Sequence, residues 1–133
     1  NIKGFNFQPD LTWLKRRDSA GAHHVNDALR GAGNGIYPNE NSAQSDNSAQ
    51  MSAFISDGFT LGNGDNTNAN DGTFVGWAWD AGTAAATPST SGTITPDAQW
   101  VNDAAGFSDY FIYSRTWIKC CSAIYSSEEY DCY

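Results

Sequence analysis

Apolar residues in this chain recur in short runs, and long polar stretches separate the runs. After Pro9-Asp10, the residues Leu11, Trp13 and Lys15 alternate with Thr12, Leu14 and Arg16. β-prone side chains at period two predict a strand over 11–17 with one half-buried face. The runs Met51 to Ser56 and Phe59 to Leu61 flank Asp57-Gly58. Asp-Gly between apolar runs is a hairpin signal, so two short strands around a tight turn are expected. Thr73 to Trp79 is the clearest strand pattern of all. Val75, Trp77 and Trp79 fall on one face and Phe74, Gly76 and Ala78 on the other. The face with two indoles is expected to be the core face.

Other segments are less committed. Residues 23–30 fit one helical turn, with Val25 and Leu29 at i, i+4, and fit equally a short strand followed by a turn. The segments 31–50 and 62–72 are dominated by small and polar residues and read as long surface loops. Residues 81–99 read as a flexible connector, with Gly92 to Thr95 as a short edge strand. Residues 110–118 pattern as one more strand, and no internal repeat of fixed period is present. The fold expected is all-β: an antiparallel β-sandwich of jelly-roll or concanavalin-like type, with long loops. Patterned sequence begins almost at Asn1, so a strand is expected to be missing at the N-terminus.

Composition narrows the function classes. The formal net charge is −8, which repels a phosphate backbone and argues against nucleic acid. Lys15, Arg16 and Arg17 form the only basic cluster, and three such residues at a strand end read as a solvated rim. No apolar run approaches the roughly 20 residues that a membrane helix needs. Cys120, Cys121 and Cys132 crowd into the last 14 residues. An odd count at one end is a poor disulfide framework, and no fourth ligand stands at metal-finger spacing. These thiols are expected to be incidental.

Candidate chemistry is sparse. No Gly-x-Ser-x-Gly elbow accompanies the serines, and no pair of carboxylates stands out for glycoside hydrolysis. His24, Asp27 and Arg30 are read as a structural polar cluster, with Asp27 and Arg30 paired at a turn. The oxygen-rich loop Asn63 to Gly72 lacks the EF-hand register and reads as a turn without metal. Tryptophans in small β domains mostly supply buried area. Trp100, between polar neighbours, is the one expected to be exposed and to offer glycan contact. No catalytic residue, cofactor or metal site is expected.

Several runs occur in a telling order. They are Gly4-Phe5, Pro9-Asp10-Leu11-Thr12-Trp13-Leu14-Lys15-Arg16-Arg17, His24 through Asp27 to Arg30-Gly31, Ser52 to Leu61, and Gly72 to Trp79. This order resembles a domain of unknown function found in structural proteins of tailed phages, especially those of cyanobacteria and other marine bacteria. The resemblance runs from about Gly4 to Phe107 and carries over no catalytic residue. It implies a β-sandwich within a virion protein: a tail fibre, a tail-associated protein or a capsid decoration. The likeness stops after Ser108, where a family-like strand is replaced by Asp109 to Trp117 and the cysteine-rich end. The chain is therefore divided into a module over 1–108 and an atypical tail over 109–133, for which a frameshifted terminus is one explanation.

Two functions are consistent with these readings. The first is a non-catalytic structural module of the virion, packed on other subunits and homo-oligomeric. The alternative is a module that binds host-surface glycans through loops and aromatic side chains.

Overall fold

A computed structural model describes residues 1–82 and 93–112. Among the described residues, ten strands and one helical turn follow one another in the order β1 (Ile2–Lys3), β2 (Leu11–Arg16), β3 (His24–Asp27), β4 (Asn34–Ile36), β5 (Ser45–Asp46), β6 (Met51–Ile55), β7 (Gly58–Leu61), α1 (Asp65–Asn68), β8 (Phe74–Trp79), β9 (Ala98–Asn102) and β10 (Phe107–Phe111). Every pairing is antiparallel. One sheet has the order β1-β7-β6, a second has β5-β4-β3-β2-β8, and β9 and β10 form a separate hairpin. The chain is thus an all-β antiparallel sandwich, with no closed barrel among the described residues.

The core lies between the two larger sheets. Leu14 of β2, Met51 of β6 and Phe59 of β7 form its centre, with Phe5, Ala32, Phe54 and Leu61 packed around them. Thr12 sits on the same face as Leu14, and its hydroxyl reaches the Met51 sulfur at 3.3 Å. The hairpin signal at Asp57-Gly58 is realised by β6 and β7, with Phe54 opposite Phe59 and Ile55 opposite Gly58. Gly58 is required there for two reasons. Its φ is +151°, and a Cβ would lie 1.9 Å from the Ile2 carbonyl oxygen. β1 can pair with β7 only because that side chain is absent.

β8 is correctly placed as a strand, but its expected core face is reversed. Leu14 stands opposite Gly76 and Trp13 opposite Trp77, so Gly76 shares the inner face with Leu14. A Cβ on Gly76 would come within 2.8 Å of Leu14 Cδ2, so the Leu14 side chain crowds the inner face at this position. Val75, Trp77 and Trp79 lie on the outer face, and Trp77 is 49% exposed. Trp79 is half-buried because the β9–β10 hairpin covers its end of the outer face. The Phe107 ring stacks on Trp79 with centroids 6.2 Å apart and planes 14° from parallel.

The less committed segments also acquire structure. Residues 23–30 resolve into strand β3 followed by a turn. The expected 31–50 loop holds β4 and β5, and the 62–72 loop holds the single turn α1. β9 takes residues from the end of the expected connector. β10 begins at Phe107, so the division at Ser108 falls inside a strand. The expected strand over 110–118 is described only to residue 112, as the end of β10. Of the short edge strand expected near 92–95, residues 93–95 are described, and they are not strand. Trp117 and the three cysteines lie outside the described residues.

Candidate functional site

Three regions carry the polar, aromatic or concave features from which a site is built. The first is the outer face of β2 and β8. Trp13 and Trp77 meet edge to face with centroids 5.9 Å apart. The Trp13 indole N–H donates to His23 Nδ1 at 3.0 Å, which fixes both rings. Trp77 has no such tether among the described residues and is 49% exposed on the edge strand. Its own strand contains no charged residue, from Phe74 to Trp79.

The second region is a cleft of about 250 Å³ between the inner face of β8 and the β1–β7 edge. Phe5, Phe59, Phe74, Gly76 and Ala78 line it, and Thr67 and Asn68 of α1 bring polar atoms to it. The cleft exists because Gly76 and Ala78 present almost no side chain there. None of its lining side chains titrates, so it offers room for an apolar group and no acid–base chemistry.

The third region is a cluster of buried carboxylates at the other end of the sheet. Asp10 is buried, and its Oδ2 accepts the Ala81 backbone N–H at 2.9 Å. Burial raises its pKa, and the Ala81 hydrogen bond opposes that rise. Asp27 Oδ1 accepts the Arg30 backbone N–H at 2.8 Å, and its Oδ2 accepts from the Arg30 guanidinium. Arg30 Nη1 also donates to Gln44 Oε1 at 3.1 Å. The pair therefore ties the turn after β3 to the loop before β5. Asp109 enters from β10, and its buried Oδ2 has no hydrogen-bond partner among the described residues. Burial pushes its carboxyl up to about 7, and the charges of Asp27 and Asp10 add to the rise. Arg30 and the Tyr110 backbone N–H pull the other way.

The sequence-derived residues distribute unevenly over these regions. Asp27 and Arg30 meet as an ion pair at a turn. His24 does not join them, because alternation along β3 turns it to the inner face and Asp27 to the outer. Its ring lies edge-on to Tyr37 with centroids 5.0 Å apart, and neither ring nitrogen has a hydrogen-bond partner among the described residues. Burial lowers its pKa, favouring the neutral imidazole. Trp100 is not the exposed tryptophan. It lies in β9 opposite Asp109 and is half-buried, because the hairpin folds back onto the sheet. Trp77 takes the exposed position instead. The available signal was Gly76: a glycine inside a strand marks close approach of a neighbour on its own face.

The loop over 63–72 satisfies its polar groups internally. Thr67 Oγ1 donates to the Gln50 carbonyl at 2.8 Å, and Asn68 Nδ2 donates to the Gly62 carbonyl at 2.7 Å. Among the described residues, no three His, Cys, Asp or Glu side chains are grouped to hold a metal ion.

Comparison with known proteins gives one match. A family model described as a domain of unknown function (DUF7483) matches residues 1–116, and so continues past Ser108. No curated protein and no solved structure matches the chain. Matched over residues 1–116 of its 133, the chain belongs to the DUF7483 family, a domain of unknown function.

Proposed function

We propose that this domain is a non-catalytic structural module of a phage particle, which packs on neighbouring virion subunits. The observation that carries the reading is the uncharged edge strand β8 with Trp77 half-exposed on it. Sheet edges in monomeric proteins are normally blunted by charge, proline or bulges, and β8 has none of these along its six residues paired with β2. On a chain of net charge −8, a neutral apolar edge is a surface suited to protein contact. The kind of neighbour comes from the resemblance of the ordered sequence runs to a domain of tailed-phage structural proteins. The test is to label native particles with an antibody to this domain and image them. Label on the tail or over the capsid is expected, and particles without label would refute the reading.

A second reading, host-surface glycan binding, is favoured by the same Trp77. A half-exposed indole braced by Trp13 is a surface on which a sugar ring can stack. A glycan array separates the two readings. Saturable binding that Trp77→Ala abolishes would favour the glycan reading, and absence of any saturable binding would remove it.

A further inference from the structure

We infer that β8 pairs antiparallel with β8 of a second copy of this chain, joining two five-stranded sheets into one, with Trp77 against Trp77 of the partner subunit. This deepens the assembly reading above by naming the contact and its register.

The backbone sets which groups are offered. The Arg17 N–H donates to the Thr73 carbonyl at 2.7 Å, in register with Leu11 opposite Trp79. Odd-numbered residues of β8 therefore turn their N–H and C=O toward β2. Phe74, Gly76 and Ala78 turn theirs toward the other edge, with which no strand pairs among the described residues. Gly76, in the middle of that row, is exposed, and an exposed row of donors and acceptors is a template for another strand.

Residue faces then restrict the register. A two-fold axis normal to the sheet keeps outer residues on the outer face, so it passes through a residue of β8 and not between two. An axis at Trp77 places Val75 opposite Trp79 of the partner subunit and Gly76 opposite Ala78 of the partner subunit. It covers the most exposed large side chain on the strand with an identical one, as an aromatic cross-strand pair.

Charge selects a second copy as the occupant. The strand itself is neutral, so two copies of a −8 chain meet here without opposing like charges along the joint. Its two ends are unlike. Arg16 and Arg17 flank the Phe74 end, whereas Asp80 follows the Trp79 end, where the neighbouring Asp10 is buried and engaged with Ala81. Asp18 already engages Arg16, so Arg17, which is exposed, is the cation on offer; Asp71, just before the strand, offsets part of its charge. Antiparallel pairing brings each Arg17 end to the Asp80 end of the other copy, twice over.

The test uses the 133-residue chain. Sedimentation over a range of concentrations should show a reversible dimer, and Trp77→Lys should raise its dissociation constant at least about tenfold while the circular dichroism spectrum stays that of the parent. In a chain with Cys120→Ser, Cys121→Ser and Cys132→Ser, Trp77→Cys should oxidise to a covalent dimer, because residues facing across a two-fold come within disulfide reach. Ser52→Cys, exposed on β6, should not. A parent chain that stays monomeric, or a dimer that Trp77→Lys leaves intact and Trp77→Cys does not lock, overturns the inference. The virion reading is tested on particles and not on the purified chain, so the two can fail separately.

Discussion

The buried carboxyl of Asp109 makes stability depend on pH, and its removal is the sharpest perturbation available. Its pKa is raised from an ordinary 3.8 to about 7, first by burial and then by the charges of Asp27 and Asp10. The folded chain therefore holds a proton that the unfolded chain releases near pH 4. Between those two values the folded state binds more protons, so stability falls as pH rises from about 4 to about 7 and is level above that. The full displacement corresponds to about 4 kcal/mol. The residue is only partly buried, and solvent screening reduces the effect to about 2 kcal/mol. Asp109→Asn removes the ionisation while keeping the shape. Urea denaturation followed by tryptophan fluorescence at several pH values reads the difference. The variant should be more stable than the parent by about 2 kcal/mol at pH 8, and the difference should vanish toward about pH 3, where Asp109 is neutral in the folded and the unfolded chain alike. A parent and variant with the same pH slope would show that Asp109 is not held neutral beneath the hairpin, and the docking of β9–β10 on Trp79 would need revision.

Three further substitutions test the packing. Gly58→Ala places a Cβ against the Ile2 carbonyl at a positive φ, and should cost about 2 kcal/mol or more in the same denaturation assay as β1 leaves β7. Met51→Ala empties the centre of the core, where Met51 is fully buried, and should lower stability by about 2–5 kcal/mol. Arg30→Ala strands the buried Asp27 carboxylate, and a loss of about 3 kcal/mol is expected, with little change if the pair is dispensable.

The strands that build the core were legible because side-chain alternation marks them. β2, β6, β7 and β8 all carry that pattern, and Asp57-Gly58 marked the turn between β6 and β7. β4 and β5 were not legible, since Asn34–Ile36 and Ser45–Asp46 are short and mostly polar, and they pair only because β3 presents an edge to them. The face of β8 was misread for a different reason. Both faces of Phe-Val-Gly-Trp-Ala-Trp are apolar, so volume favoured the indoles, whereas the register with β2 sets Gly76 beside Leu14, where a Cβ would come within 2.8 Å of Leu14 Cδ2. Because side chains alternate at period two, the wrong choice of face misplaced the whole set. The pairing of Asp27 with Arg30 could be proposed from their spacing, whereas His24 parted from them because position along a strand decides the face. Asp109 left no sequence signal. Its environment is made by a hairpin docking on residues about 80 positions away, with Asp27 among them.

We propose above that this domain is a part of a phage particle, and quantitative mass spectrometry of density-purified particles tests that most directly. Peptides of this chain are expected at a fixed copy number per particle, retained after washing in high salt. Their absence, or a trace amount that varies between preparations, would contradict it.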